Sequence, residues 1–254
     1  MIDQSIKTSP QVYARIGGVL YLIIIVIGLF AEAFVRDKLI VAGDAAATAS
    51  NIRASELLWR AAIAGNLFHL VCAVFLTLIL YVLLRPVSRN LALLAAFLDL
   101  MSIAIEASSK EHLLAALFPL GKADYLKAFT PPQLDAMVYL AIKSHSYGFG
   151  LSLIFFGFAC LVAGYLIFRS GYLPRVVGVL MQIAGLSYLT NSFALVLAPR
   201  IADLLFPAVL VPAFIGEASL CLWLMTKGVN VEKWNAKANP AAVGQASTDA
   251  QFRP

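Results

Sequence analysis

The chain has 254 residues, of which 61% are hydrophobic and only 13% are charged, and its mean hydropathy is +0.85. Soluble domains average about 45–50% apolar residues with about a quarter charged, so this composition excludes a soluble globular domain and indicates an integral membrane protein. The formal net charge is +5. Because the basic residues are spread over short loops and chain ends, without a basic run interleaved with aromatic residues, we exclude a nucleic-acid-binding protein and assign the charge to lipid headgroups.

The first hydrophobic run covers residues 16–34 and follows the basic residues Lys7 and Arg15. A basic flank, an apolar run and small residues near its end are also typical of a secretory signal peptide. This run, however, exceeds the usual apolar core of such a peptide, about 7–15 residues, and approaches the roughly 20 residues that cross a bilayer. We therefore expect it to be a retained transmembrane helix.

The next segment predicts a short surface helix and then a second span. Asp44 precedes an alanine-rich stretch, where its carboxylate is suited to accept hydrogen bonds from the free amides of a first helical turn. Residues 57–84 follow as the second span, and Asn66, His69 and Cys72 share one of its faces. The chain has three cysteines, all in apolar stretches without metal-ligand or CxxC spacing, so we expect small core residues rather than disulfides or metal ligands.

The third span, residues 91–117, carries a polar stripe. It follows a short turn with two arginines at residues 85–90. A charged residue in the middle of a spanning helix costs about 2.5–3.5 kcal/mol on insertion scales, so such residues usually face the protein interior. Residues three and four apart share one helical face, and we therefore expect this stripe to line the inside of a bundle. The stripe consists of Asp99, Ser102, Glu106, Ser109 and Lys110.

The rest of the chain predicts three further spans and a tail. We expect the string Thr130-Pro131-Pro132 to break the polar connection before the fourth span. The predicted spans are residues 136–168, 176–198 and 207–226. The predicted fold class is therefore all-α: a polytopic membrane protein with a six-transmembrane-helix bundle over residues 1–228. Residues 229–254 are polar and lack periodicity, which predicts a disordered cytoplasmic tail.

Orientation is predicted from the two short basic turns, residues 85–90 and 169–175. Each turn carries two arginines and no acidic residue. Short loops rich in Lys and Arg stay on the cytoplasmic side of a membrane. Since six spans bring both termini to the same side, we expect both termini in the cytoplasm of a bacterium, with the protein in its inner (plasma) membrane.

Several strings in the chain resemble an uncharacterised bacterial membrane family, domain of unknown function 4386. These strings are ARIGGVLYLIIIVIGLFAE, GDAAATASNI, LLRPVSRNLALLAAF, FRSGYLPRVVGVL and PAFIGEASLCLWL, and together they cover residues 14 to about 228. The resemblance implies that the first helix is retained and that one membrane domain extends from end to end. It implies no activity.

Polar side chains at membrane depth are the candidates for a functional site, and each has a purely structural alternative. Glu106 and Lys110 have the spacing of a helical ion pair. Asn66 and His69 are also suited to hydrogen-bond neighbouring helices. Glu217 has no basic residue nearby, and we expect it to bond to His69 or Asn191 after a bend at Pro212. The candidate ligand-binding residues are His69, Asn66, Glu106, Lys110, His145, Asn191, Glu217 and Asp99.

We interpret the chain as a bundle that binds a small or amphipathic ligand in a polar intramembrane cavity, as a receptor, carrier or accessory subunit. No nucleotide-binding or serine-hydrolase motif occurs, and no local metal-ligand pair. We therefore assign no cofactor, metal or catalytic residue and lean against an enzyme. One alternative is an intramembrane metal-dependent hydrolase using His69, His145, Glu106 and Glu217. The other is a structural partner of another membrane protein; the sequence leaves the oligomeric state open.

Overall fold

The computed structural model of the chain describes residues 9–205 and 207–239 and is helical with no strand in that part. Six of its helices are long and apolar enough to cross a membrane, so the predicted all-α, six-helix fold class is confirmed. In chain order the helices are α1 (Pro10–Leu39), α2 (Ala45–Ala54), α3 (Glu56–Leu84), α4 (Arg89–Ala115), α5 (Pro131–Ser170), α6 (Arg175–Leu197), α7 (Pro199–Leu205), α8 (Val211–Thr226) and α9 (Val231–Ala238). The six long helices are α1, α3, α4, α5, α6 and α8.

Two prolines start helices that were predicted to begin later. Helix α1 begins at Pro10, where the Ser9 hydroxyl accepts from the Gln11 amide at 3.3 Å. Helix α5 begins at Pro131 rather than at residue 136, because Thr130 and Gln133 form a capping box across its first turn. Proline fits a first turn because its missing N–H would be unpaired there in any case. The Pro-Pro pair is therefore a helix start, whereas the sequence predicted a break.

The same rule corrects the expected bend in the last span. Helix α8 begins at Val211 after a 3₁₀ turn, Ala208–Leu210, so Pro212 lies in its first turn and does not bend it. The predicted cap of α2 is confirmed, since Asp44 Oδ1 accepts from the Ala47 amide at 2.9 Å.

The six long helices form a closed ring in chain order, with α8 packed against α1. Each helix runs antiparallel to its neighbours. Where α1 meets α8, the side chain of Gln11 donates to the carbonyl of Lys227 at 2.9 Å, so the start of α1 lies beside the end of α8. This closure allows one space in the middle of the ring to be lined by all six long helices.

Glycine pairs bring the backbones of α5 and α6 into close contact. A Cβ atom at Gly164 would lie 2.6 Å from the carbonyl oxygen of Gly178, and one at Gly178 would lie 2.7 Å from that of Gly164. Two turns along, a Cβ at Gly185 would lie 2.6 Å from the carbonyl oxygen of Gly157. Only glycine therefore fits at this backbone contact.

The first part of the predicted disordered tail is instead helical. Helix α9 packs against the end of the ring that holds both basic turns. The Trp234 indole donates to the Leu83 carbonyl at 3.0 Å, and the Lys237 ammonium donates to the Arg169 carbonyl at 2.7 Å. These bonds satisfy carbonyls at the ends of α3 and α5 that have no amide partner within their helices. Residues 240–254 lie outside the described part of the chain.

The outer surface of the ring is apolar. Leu78, Phe97 and Leu186 lie on three different long helices, and each is more than half exposed, at 57%, 61% and 56%. An exposed apolar surface of this extent is not stable in water but suits the hydrocarbon of a bilayer. The chain is therefore a multi-pass membrane protein.

We predict that the substitution Gly178→Ala destabilises the bundle by about 1–3 kcal/mol, because its methyl group would displace the backbone of α5. The control Gly28→Ala has no atom within 4 Å of the new methyl group and should be neutral or slightly stabilising. Thermal unfolding of the purified variants in detergent measures both. Equal stability of the two variants would contradict the close crossing of α5 and α6.

Candidate functional site

The predicted site residues fall into two separate groups. His69, Glu106, Lys110 and His145 gather between α3, α4 and α5, and we call them the ion-pair cluster. Asp99 and Glu217 line a space inside the ring, which we call the central cavity. Glu106 lies seven residues after Asp99 on α4, which separates the two groups by about 10 Å along the helix.

Glu106 is the centre of the ion-pair cluster. Its Oε1 atom lies 3.0 Å from the Lys110 Nζ atom and 3.5 Å from the His69 Nε2 atom. The Lys110 ammonium also lies 5.2 Å from the centre of the Phe149 ring on α5, within the range of a cation–π interaction. Lys110 is only 2% exposed, so the predicted pair forms inside the protein, where its charges compensate each other.

His145 joins α5 to the same cluster through Ser109. Its Nδ1 atom lies 3.1 Å from the Ser109 carbonyl oxygen. Since a carbonyl only accepts hydrogen bonds, this contact is a hydrogen bond in the tautomer that carries its hydrogen on Nδ1. A Cβ at Gly148 would lie 2.8 Å from the Cβ of Ser109, so the absence of a side chain there allows α4 and α5 to approach closely. This bond gives His145 a structural role.

Asn66 and Asn191 belong to neither group in the described part of the chain. Asn66 is 1% exposed, and its Nδ2 atom has no hydrogen-bond partner among the described residues. It lines a small crevice of about 10 Å³ beside Arg36 and Trp59, close to the smallest volume that holds one water molecule. Asn191 is half-buried on α6 and does not line the central cavity.

The central cavity has a volume of about 90 Å³ and lies in the half of the ring nearer the two basic turns. Its walls are mostly alanine, leucine and aromatic side chains, with two carboxyl groups and the Thr77 hydroxyl among them. All six long helices contribute to its lining. One residue from each helix, in chain order, is Tyr21, Thr77, Asp99, Phe156, Met181 and Glu217.

Each carboxyl group of the cavity contacts a hydroxyl group. The Thr77 hydroxyl lies 2.5 Å from Asp99 Oδ2 and 2.8 Å from the Ala73 carbonyl oxygen. A hydroxyl has one hydrogen, so when it donates to Ala73, the contact with Asp99 requires a proton on the carboxyl group. When Asp99 is ionised, the hydroxyl donates to it instead. The contacts around Asp99 therefore suit both protonation states.

Tyr188 is the partner of Glu217, whereas the sequence predicted His69 or Asn191. Its hydroxyl donates to Glu217 Oε1, and its ring packs edge-to-face with the Phe156 ring, with the ring centres 5.3 Å apart. Sequence reasoning missed Thr77, Tyr21, Phe156 and Tyr188 as site residues. Tyr188 shares a helical face with Gln182, Gly185 and Ser192, which was a usable signal; Tyr21 lies in an uninterrupted apolar run without one.

Comparison with known proteins gives a family. The sequence profile of one protein family matches residues 16–228, most of the chain. The chain belongs to this family. It is described as Domain of unknown function (DUF4386). No curated protein and no solved structure matches the chain at a significant level.

The alternative function, an intramembrane metal-dependent hydrolase, needs four side chains as metal ligands, and these do not form one site in this member of DUF4386. Glu217 lies in the central cavity, whereas His69, His145 and Glu106 belong to the ion-pair cluster. Within residues 9–205 and 207–239, no three His, Cys, Asp or Glu side chains are grouped to hold a metal ion. The three cysteines are buried and free.

We predict that Glu106→Gln and Lys110→Met each destabilise the protein by about 3–5 kcal/mol, because each leaves a buried charge without its partner. The double variant should lose less than the sum of the single variants, since no uncompensated charge remains. Thermal unfolding in detergent measures the stability of the wild type, the two single variants and the double variant. Glu111→Gln, on the exposed face of α4, is the control. Strictly additive losses would contradict the pairing.

Proposed function

We propose that the protein binds a small amphipathic ligand in the central cavity, as a receptor, carrier or accessory subunit. The observation that carries this proposal is the cavity of about 90 Å³ lined by all six long helices. Ligand sites are typically concave and mostly apolar, with a few polar groups that fix the orientation of the ligand. The apolar walls with Asp99 and Glu217 among them have this character.

The free-energy cost of placing two carboxyl groups at membrane depth supports a functional role for the cavity. Charged side chains at membrane depth are rare and usually mark pathways or binding sites. The charges of Glu106 and Lys110 compensate each other, so this pair is accounted for without a ligand. Asp99 and Glu217 have only hydroxyl partners in the described part of the chain. We therefore assign the ion-pair cluster to stability and the central cavity to function.

The two alternatives have less support. A metal-dependent hydrolase needs a grouped ligand set, and the four side chains that would supply it lie in two places. A purely structural partner needs no cavity lined by six helices. We infer ligand binding rather than catalysis.

We also propose that the protein lies in a bacterial inner membrane with both termini in the cytoplasm. The support is the density of arginine in the two short turns, which carry no acid. Helix α9 packs against the same end of the ring and adds Lys233 and Lys237 there.

A cysteine-labelling experiment tests this orientation. Asn90 is exposed in the first turn of α4, next to a basic turn, and Ser50 is exposed on α2 beyond the other end of the ring. In intact cells, an impermeant thiol reagent should modify the Ser50→Cys variant and not the Asn90→Cys variant, because only the former would face outward. Both should react in permeabilised cells. The reverse pattern in intact cells would overturn the orientation.

Filling the cavity tests ligand binding. Ala95 lines the cavity, whereas Ala104, on the same helix, is exposed on the outer surface. The purified protein should be stabilised in thermal shift assays by some members of a lipid and metabolite panel. A ligand at a hundredfold its dissociation constant contributes about 2.7 kcal/mol. The stabilisation should persist in Ala104→Leu and disappear in Ala95→Leu, whose side chain occupies the cavity.

Mass spectrometry of molecules that copurify with the three proteins gives a second readout. A molecule retained by the wild type and by Ala104→Leu, but lost from Ala95→Leu, would support the proposal. Ligand binding that Ala95→Leu leaves unchanged would place the ligand elsewhere. The proposed function would be contradicted if no panel member stabilised the wild type and no molecule copurified with it.

A further inference from the structure

We propose that the central cavity selects a ligand with a positively charged organic head group, such as a protonated or methylated amine. This inference rests on the proposed function, because it names the chemical class of ligand that the same cavity binds. Three features of the cavity carry it: the balance of charge, the aromatic walls and the volume.

The charged groups that line the cavity are both acidic. Asp99 and Glu217 are among the lining residues, and no Lys, Arg or His side chain is among those described. An ionised carboxylate in such a place is unfavourable unless a cation or several hydrogen bonds compensate it. Asp99 Oδ2 contacts Thr77, while Asp99 Oδ1 has no hydrogen-bond partner among the described residues. A bound cation would supply the missing partner.

The positions of the two acids suit a shared cation. The ring runs α1, α3, α4, α5, α6, α8 and back to α1, so α4 and α8 stand opposite each other. Asp99 lies on α4 and Glu217 on α8, and both reach the same cavity. A cation held between them interacts with both carboxylates, whereas an anion is repelled by both.

Lys110 does not take the place of this cation. Its ammonium is bound to Glu106 at 3.0 Å, and Lys110 lies eleven residues after Asp99 on α4, about 16 Å along the helix. His69 and His145 are held in the same ion-pair cluster. The positive charge of Lys110 is thus compensated within the ion-pair cluster by Glu106.

Aromatic side chains provide the second feature. Tyr21, Tyr81 and Phe156 line the cavity from α1, α3 and α5. The faces of aromatic rings attract cations, and quaternary ammonium groups are typically bound among such rings. Carboxylates together with aromatic rings favour an ammonium over a metal ion, because a metal ion would need more oxygen ligands than the two carboxyl groups and Thr77 provide.

The volume limits the size of the head group. An engineered apolar cavity of about 150 Å³ binds benzene, which has six non-hydrogen atoms. By proportion, about 90 Å³ holds about four such atoms. An ammonium nitrogen with three carbon atoms has this size.

The experiment compares three probes of four non-hydrogen atoms each: isopropylammonium, isopropanol and acetate. They share a similar size but are positive, neutral and negative at pH 8. Binding to the purified wild type in detergent is measured by thermal shift and by titration of the intrinsic fluorescence, at constant ionic strength. Isopropylammonium should bind at least tenfold more tightly than isopropanol, and acetate should not bind.

The variants Asp99→Asn and Glu217→Gln identify the groups responsible. Each keeps the size of the side chain and an oxygen for Thr77 or Tyr188, but removes a negative charge. Because a hydrogen bond to a charged group contributes more than one to a neutral group, each should weaken isopropylammonium binding about 10- to 100-fold. Isopropanol binding should change little, and the control Glu111→Gln should behave as wild type.

The outcomes separate this inference from the proposed function. Equal binding of isopropylammonium and isopropanol to the wild type, with both lost in Ala95→Leu, would overturn the selection of cations and leave ligand binding in place. Tighter binding of acetate would overturn it as well. If none of the three probes and no member of the panel binds in a way that depends on Ala95, the proposed function itself fails. The wild-type comparison decides the matter even if a variant does not fold.

Discussion

The inability of a bilayer to solvate charge is the constraint on which the structure depends. Asp99, Glu106 and Lys110 lie within the membrane-spanning helix α4. A charge exposed to hydrocarbon would have a high free energy. The helix must therefore turn these side chains inward. Once α4 is fixed in rotation, its neighbours supply the partners: His69 comes from α3, and α5 brings Phe149. The orientation of α4 therefore determines which polar side chains lie inside the ring.

Small residues decide where the ring is closed and where it stays open. Between α5 and α6, the glycine pairs bring two backbones into direct contact, leaving no space for a ligand. On another face of α5, Phe156 and Cys160 line the central cavity, together with alanines of the neighbouring helix α4 such as Ala95. Alanine gives too little volume to fill the centre of a six-helix ring, and the cavity results. Glycines of α5 and α6 thus allow the tight packing, and alanines such as Ala95 leave the open space.

Buried acidic side chains occur in two different surroundings in this protein. Glu106 and Lys110 lie on one helix and neutralise each other, so they need nothing from outside the chain. Asp99 and Glu217 are held by hydroxyl groups, which orient a carboxyl group without compensating its charge. Pairing within a helix is local and stable, whereas charge left without a counter-charge is available for a ligand. This difference separates the cluster that stabilises the bundle from the cavity where we propose that it acts.

The spans, the cap at Asp44 and the Glu106–Lys110 pair follow from the sequence alone, because hydrophobic length, capping and the spacing of four residues are properties of a single helix. The helix starts at Pro131 and Val211 needed the structure, since proline either breaks or begins a helix according to its surroundings. The sequence predicted an intramembrane cavity and named Asp99 and Glu217 as candidates, but it could not predict that these two residues share it. Asp99 and Glu217 are far apart in the chain, and the hydroxyl of Tyr188 meets Glu217 only after the ring closes. Which side chains share a space inside the membrane depends on how the helices pack, and packing is decided by glycine contacts that periodicity does not reveal.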